Sequence, residues 1–245
     1  MATESTIRHV VFWDIDGTLL TTARAGVPAL EDGAEAVVGR RPDLSGMRTS
    51  GMTDRMIARV ILASMGHPVD EDSETRLLAA YTAALPRRLP ERVGQVLPGV
   101  VDALDGLAAR GDVASVLLTG NMRAGAEAKL RHYGLWQYAS TGGFGEDGVV
   151  RADIARAAVS RARELHGPLA DRGTLVGDTP YDIAAGAEVG LRVVAVSSST
   201  HSADELAALH PWWVVDRIPA ADELVRRLDE ARDVAAATAA KPGGA

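Results

Sequence analysis

Short apolar runs that alternate with stretches of helical periodicity recur along most of the chain. The runs are rich in β-branched residues, which predicts strands near residues 9–14, 113–118, 138–141, 173–177, 192–196 and 213–215. The periodic stretches between them predict helices near residues 99–110, 122–133, 153–165, 180–188, 203–209 and 221–232. Strands that alternate with helices are typical of a parallel sheet, so we expect an α/β fold with a Rossmann-like core.

One long segment, residues 21–94, interrupts this alternation. Its apolar residues, such as Met52, Met56 and Val60, recur at helical spacing and indicate an all-helical insertion after the first strand. The chain ends in an alanine-rich stretch that we expect to be disordered. The predicted domains are a core of residues 1–20 and 95–232, a helical domain of residues 21–94, and a tail of residues 233–245.

Composition narrows the class of protein. The 245 residues are 47% hydrophobic and 24% charged, as in ordinary soluble proteins, and no apolar run approaches the ~18 residues of a membrane span. The absence of cysteine excludes disulfides and thiolate chemistry, and the N-terminus lacks the apolar stretch of a signal peptide, so we expect a cytoplasmic protein. The net charge of −7 argues against nucleic acid or an anionic membrane as partner, and nothing implies an obligate protein partner.

The first predicted strand ends in two carboxylates, Asp14 and Asp16, followed by Gly17. Strand side chains alternate faces, so both carboxylates start on the same side of the strand. Two like charges so close are costly unless a cation or a shared proton offsets them. Alternatively, the aspartates and the glycine simply form a turn.

Polar clusters also follow later strands. Thr119, Gly120 and Asn121 stand between a strand and a helix, where a hydroxyl and free backbone N–H groups can bind an anion. Two further carboxylates, Asp178 and Asp182, follow another strand. Together with the pair at the first strand, they predict an acidic cluster at one sheet edge.

In this order, Asp14-Ile15-Asp16-Gly17-Thr18, Thr119, Arg151 and Gly177-Asp178-Thr179-Pro180-Tyr181-Asp182 resemble the haloacid dehalogenase superfamily, within it the phosphatases related to phosphoglycolate phosphatase. The resemblance covers roughly residues 8–225. It implies a Mg²⁺-dependent phosphomonoesterase that acts on a small phosphorylated metabolite. It also implies that the helical segment is a cap, which closes over the site and selects the substrate, rather than a plain packing layer.

The resemblance assigns roles to these residues. Asp14 would be the nucleophile that forms an aspartyl-phosphate. Asp16 would protonate the leaving oxygen and then deprotonate the attacking water. Thr119 would contact the phosphate, supported by Gly120 and Asn121. The metal ligands implied are the Asp14 and Asp178 carboxylates and the Asp16 backbone carbonyl, with Asp182 as a further ligand, often through water.

Asp182 has an alternative role. Thr179 as N-cap and Pro180 at the first helical position place Asp182 at the third, where a carboxylate accepts backbone N–H groups and interacts favourably with the helix dipole.

The chain departs from the family pattern at the catalytic cation, which is usually a lysine before a helix. No lysine lies between Lys129 and Lys241, and we expect Lys129, in the middle of a helix, to be solvated. Arg151 precedes a helix at a suitable place and would supply the charge, although arginine and lysine differ in geometry. The alternative is that Arg151 is a surface residue, with Arg156 as the next candidate.

In the helical segment, Ser50-Gly51-Met52-Thr53-Asp54-Arg55 resembles the specificity loop of these phosphatases. Thr53 and Asp54 would then contact substrate, whereas the alternative is that Thr53 only caps the helix that follows.

Two other functions remain open. A phosphomutase would use the same aspartates but return the phosphoryl group to a bound sugar phosphate instead of releasing it. A catalytically silent sensor of a phosphorylated ligand would keep the fold without turnover, and the Asp14–Asp16 pair weighs against it.

Overall fold

The computed structural model describes residues 7–198 and 200–239. Its strands are β1 (His9–Trp13), β2 (Leu20–Thr21), β3 (Gln95–Val96), β4 (Val113–Leu118), β5 (Gly142–Gly143), β6 (Thr174–Gly177), β7 (Arg192–Val196) and β8 (Trp213–Val215). Its α-helices are α1 (Gly26–Val38), α2 (Asp54–Ser64), α3 (Glu71–Arg88), α4 (Val100–Arg110), α5 (Arg123–His132), α6 (Arg151–His166), α7 (Pro180–Glu188), α8 (Ala203–Ala207) and α9 (Ala221–Ala239).

The main sheet has the strand order β5-β4-β1-β6-β7-β8, and every neighbouring pair is parallel. Alternate side chains of β1 enter the two cores on opposite faces: Val11 and Trp13 pack on the face of α4 and α9, and Val10 and Phe12 on the face of α6 and α7. Two buried faces are what helices on both sides of a parallel sheet produce. The predicted α/β, Rossmann-like fold is confirmed.

Two predicted boundaries moved. The strand predicted at residues 138–141 is β5, at Gly142–Gly143, where a Cβ on Gly142 would collide with the backbone of Leu117. Because β5 consists of two glycines, which allow the backbone of β4 to approach closely, it lacks the alternating side chains by which a strand is predicted from sequence. Helix α9 continues to Ala239, so the predicted tail is helical up to that residue, and residues 240–245 lie outside the described residues.

A short antiparallel ribbon separates the helical segment from the sheet. In it, β2 pairs with β3, Leu20 opposite Val96 and Thr21 opposite Gln95. The chain between these strands, residues 22–94, contains α1 to α3 and is called the helical insertion below. Its helices enclose a core of their own, which includes Leu30, Ile61 and Leu77. The insertion therefore has its own packing, and the chain enters and leaves it through this ribbon.

None of the described helices is both long and apolar enough to cross a bilayer.

Gly33 sets the spacing of α1 and α3. A Cβ on Gly33 would lie 2.7 Å from the Leu77 carbonyl oxygen, whereas one on Gly125 in α5 would make only ordinary contacts at 3.7 Å or more. We therefore expect Gly33→Ala to lower the free energy of unfolding by roughly 1–3 kcal/mol. Gly125→Ala, which only removes a flexible residue from a helix, should be neutral or stabilising by about 0.5–1 kcal/mol. Urea unfolding of both variants measures this, and equal effects would contradict the close packing.

Candidate active site

The carboxyl ends of three neighbouring strands bring the predicted residues together. Asp14 follows β1, Thr119 follows β4 and Asp178 follows β6, and these strands are adjacent in the sheet. Backbone bonds hold the ends in place, since Asp14 N donates to Val176 O (3.0 Å) and Thr119 N donates to Gly143 O (3.1 Å). Asp14, Thr119 and Asp178 are all buried, and only 4% of Asp14 and 2% of Asp178 is exposed to solvent.

The turn after β1 is tight and requires glycine. Gly17 has a φ of +87°, and a Cβ there would collide with the Asp178 carboxylate. Thr18 Oγ1 donates to Asp178 Oδ1 at 3.4 Å. The turn at Gly17 and Thr18 therefore lies directly against Asp178, which keeps the carboxylates of Asp14 and Asp178 close together.

Carboxylate oxygens of Asp14, Asp178 and Asp182 lie within 4.8 Å of one another. Burial raises the pKa of Asp14 to about 6, with Arg151 opposing the shift, and the neighbouring carboxylates add to it. Burial, followed by the charges of Asp14 and Asp182, raises the pKa of Asp178 to about 8. Hard oxygen donors that repel one another fit a small divalent cation such as Mg²⁺, which would offset their charge.

Asp182 is engaged through both of its oxygens. Oδ2 accepts from the backbone N (3.0 Å) and the hydroxyl (2.6 Å) of Thr179, which completes the capping box of α7. Oδ1 lies 2.6 Å from the Arg151 guanidinium. The predicted helix cap is thus present, and a role for Asp182 in the metal shell stays a prediction.

Arg151 is the first residue of α6 and is buried, so it is not a surface arginine. Its Nη2 lies 2.6 Å from Asp14 Oδ1 and 2.6 Å from Asp182 Oδ1. Arg156, the next candidate, is more than half exposed and pairs with Asp153 and Glu188. The geometry therefore places the arginine cation of residue 151 beside the candidate nucleophile.

The prediction that Lys129 is solvated is wrong. Its side chain is only 6% exposed, and Nζ lies 2.6 Å from Asp16 Oδ2 and 2.6 Å from Asn121 Oδ1. A sequence signal for this existed, because Lys129 shares the buried face of α5 with Ala126 and Leu130. A lysine on the apolar stripe of a helix indicates a buried partner, and here that partner is the candidate acid–base residue.

Thr53 and Asp54 join the helical insertion to the loops that carry the site. Thr53 Oγ1 accepts from Met56 N, which caps α2, and donates to Val149 O at 2.7 Å. Asp54 N donates to Gly120 O, and Asp54 Oδ2 accepts from Met122 N, both at 2.8 Å. The alternative, that Thr53 caps the helix, is therefore present, and the single proton of its hydroxyl is already donated to Val149 O.

A cavity of about 1010 Å³ lies between the sheet edge and the helical insertion. The sheet side presents the carboxylates of Asp14, Asp16 and Asp178, the polar residues Thr119 and Asn121, and the two buried cations, Lys129 and Arg151. The insertion side is mixed, with charged, polar and apolar residues: Arg24, Val27, Leu30, Arg48, Asp54, Ile57 and Tyr81. A ligand in this cavity would thus contact the reacting carboxylates at one end and the insertion at the other.

Comparison with known proteins identifies the family. The sequence matches the haloacid dehalogenase-like hydrolase family over residues 11–187. The chain belongs to the haloacid dehalogenase-like hydrolases. It is 30% identical over 219 residues to the "Probable phosphatase IndB" of Dickeya dadantii (strain 3937), covering 86% of this chain and 90% of that one.

Solved structures of this hydrolase fold superpose on nearly the whole chain. A predicted phosphatase from Clostridium acetobutylicum is 19% identical with a TM-score of 0.66, covering 92% of this chain and 100% of that one. A hydrolase from Pseudomonas syringae is 19% identical with a TM-score of 0.65, covering 91% and 98%. The predicted family is confirmed, and so is the expectation of a hydrolase of the phosphatase type.

The acidic cluster of this hydrolase makes stability depend on pH when no metal is present. The folded-state pKa of Asp178, about 8, lies above its ordinary 3.8, so the folded state favours the protonated form. Protonated Asp178 therefore adds to the free energy of unfolding at low pH. This contribution is lost as pH rises toward 8, by up to ~1.4 kcal/mol per pH unit. In chelator, we expect Asp178→Asn to become increasingly more stable than wild type between pH 5 and 8.

Denaturant unfolding across that pH range measures the difference between the two proteins. In Mg²⁺ the wild type should gain stability while Asp178→Asn gains little, since the variant lacks a charged ligand. A difference that does not change with pH would contradict the buried, crowded carboxylate.

Proposed function

We propose that the protein is a Mg²⁺-dependent phosphomonoesterase that acts through an aspartyl-phosphate on a small phosphorylated metabolite. One observation carries this proposal: the buried Asp14 carboxylate has a guanidinium 2.6 Å from one oxygen and lies within 4.8 Å of the Asp178 carboxylate. A nucleophile placed between a fixed cation and a cation-binding carboxylate suits attack on a phosphoryl group, which needs its charge neutralised on several sides.

In the proposed reaction, an Asp14 carboxylate oxygen attacks phosphorus while the bond between phosphorus and the leaving oxygen breaks. Asp16 gives its proton to that leaving oxygen, so an alcohol departs and Asp14 carries the phosphoryl group. Water then attacks the same phosphorus, Asp16 takes the water proton, and the bond to Asp14 breaks. Inorganic phosphate leaves, and both aspartates return to their starting states.

Several groups would hold the phosphoryl oxygens during these steps. Arg151 supplies positive charge from one side, and the Thr119 hydroxyl and the backbone after β4 supply hydrogen-bond donors. Asp14 and Asp178, with the Asp16 carbonyl, would hold Mg²⁺, and Asp182 would act through water because its own oxygens are engaged. When bound, the metal would neutralise charge on the phosphoryl group.

The residues that line the cavity favour a substrate that carries a second polar or anionic group in addition to its phosphate. Arg48 of the insertion lines the cavity, and among the described residues no carboxylate pairs with it. Val27, Leu30 and Ile57 line the same side and would pack against a carbon skeleton. Substrate selection would therefore reside in the helical insertion, and a screen of phosphorylated metabolites tests this.

The nucleophile is tested with p-nitrophenyl phosphate, which wild type should hydrolyse in Mg²⁺ and not in excess chelator. Asp14→Asn should remove nearly all turnover while thermal unfolding stays cooperative, since the amide fills the same space but cannot attack. Ca²⁺ should inhibit, because its longer bonds would displace Asp14. Normal turnover by Asp14→Asn would refute the assignment, and phosphoryl transfer without phosphate release from sugar phosphates would identify a phosphomutase.

The cation is tested by Arg151→Ala, which should lower kcat by roughly 100-fold or more, because one preorganised charge beside the phosphoryl group is lost. Arg151→Lys should recover part of the rate. Arg156→Ala is the matched control on the same helix and should behave as wild type, since its side chain pairs in solvent. Steady-state kinetics decide this, and a loss of activity in Arg156→Ala alone would show that the wrong arginine was chosen.

A further inference from the structure

Lys129 is a buried ammonium that the proposed reaction has not used. Burying a charge is unfavourable unless partners compensate it. Burial by itself would lower the pKa of Lys129, but the carboxylates of Asp16 and Asp54 outweigh it and raise that pKa above its usual value. The ammonium is therefore kept charged, and the groups that keep it charged belong to the active site and to the helical insertion.

The contacts of Lys129 form one network with the candidate acid–base residue. Lys129 Nζ donates to Asp16 Oδ2 and to Asn121 Oδ1, both at 2.6 Å. Asn121 Nδ2 donates to the same Asp16 Oδ2 and to Thr119 Oγ1, both at 2.8 Å. The ammonium thus orients the Asn121 amide, and amide and ammonium together bind one oxygen of Asp16.

This network matters because Asp16 is otherwise weakly held. Its side chain is 42% exposed at the cavity, so a free carboxylate there could adopt several rotamers. With Oδ2 occupied by two donors, Oδ1 is the oxygen left to exchange a proton with the leaving group or with water. A fixed Oδ2 therefore fixes the direction from which the proton is transferred.

We propose that Lys129 is a positioning residue, which holds Asp16 and Asn121 in the orientation that proton transfer needs. The proposal rests on the proposed function, in which Asp16 exchanges the proton. Besides Asp16, Asp54 of the insertion supplies a second carboxylate near the ammonium. Asp54 Oδ2 also accepts a hydrogen bond from Met122 N, next to Asn121 in the chain. Docking of the insertion therefore supports the same network that orients Asp16.

The test is a double-mutant cycle on p-nitrophenyl phosphate in Mg²⁺, with Lys129→Met, Asp16→Asn and the two combined. Methionine keeps the length of the side chain and removes its charge. We expect Lys129→Met to lower kcat by roughly 10- to 100-fold, part of the usual contribution of a general acid–base group. KM should change little, because the ammonium touches Asp16 and Asn121 rather than the substrate.

In the Asp16→Asn background, Lys129→Met should lower kcat by less than about twofold, since its target is already gone. Arg131→Met is the matched control on the same helix. Arg131 is mostly exposed and pairs with Glu127, so its loss should leave kcat and KM as in wild type. If thermal unfolding shows that Lys129→Met does not fold, Lys129→Gln, which offers the buried site a hydrogen-bonding amide, replaces it in the same cycle.

Three results would overturn the proposal. Losses that multiply in the double variant would show that Lys129 acts independently of Asp16, as a structural ion pair would. A higher KM with unchanged kcat would make Lys129 a substrate ligand, and wild-type kinetics would remove it from the site. Failure of the proposed function is distinguishable, since wild type itself would then show no Mg²⁺-dependent turnover.

Discussion

Arg151 places one buried positive charge between the Asp14 and Asp182 carboxylates, at an edge where two neighbouring parallel strands, β1 and β6, end in acidic residues. Without that contact, the buried carboxylates that follow β1 and β6 would repel one another. The arginine is fixed because it begins α6, and Asp182 is fixed because it caps α7. Two helix N-termini therefore hold the charges that the sheet brings together.

A second buried cation, Lys129, lies at the same end of the sheet and pairs with a different carboxylate. Lys129 approaches from α5 and contacts Asp16, whereas Arg151 approaches from α6 and contacts Asp14. Asp14 and Asp16, two residues apart in sequence, are thus each paired with a different buried cation. Two neighbouring carboxylates in unlike environments can perform unlike tasks, one as nucleophile and the other as proton carrier.

The sequence predicted the strands and the residues at their ends well, because apolar runs bounded by glycine and aspartate are local signals. It also named Arg151 as the candidate cation, and that side chain lies beside Asp14, while its catalytic role stays a prediction. It failed on Lys129, although the apolar face of α5 indicated that this residue is buried. Its partner Asp16 could not be predicted, because that pairing depends on which elements meet in space. The same limit applies to Thr53 and Asp54, whose partners Val149 and Met122 lie far along the chain. Pairings of this kind are set by tertiary contacts that no local pattern encodes.

The ribbon of β2 and β3 brings the entry and exit of residues 22–94 side by side. An insertion whose two ends are adjacent can be lengthened, shortened or exchanged without changing the path of the sheet strands on either side. A change in the length of such an insertion would therefore leave the strands that carry Asp14, Thr119 and Asp178 in place. The ribbon thus joins two parts of one polypeptide, the sheet and the insertion, each of which has a hydrophobic core of its own.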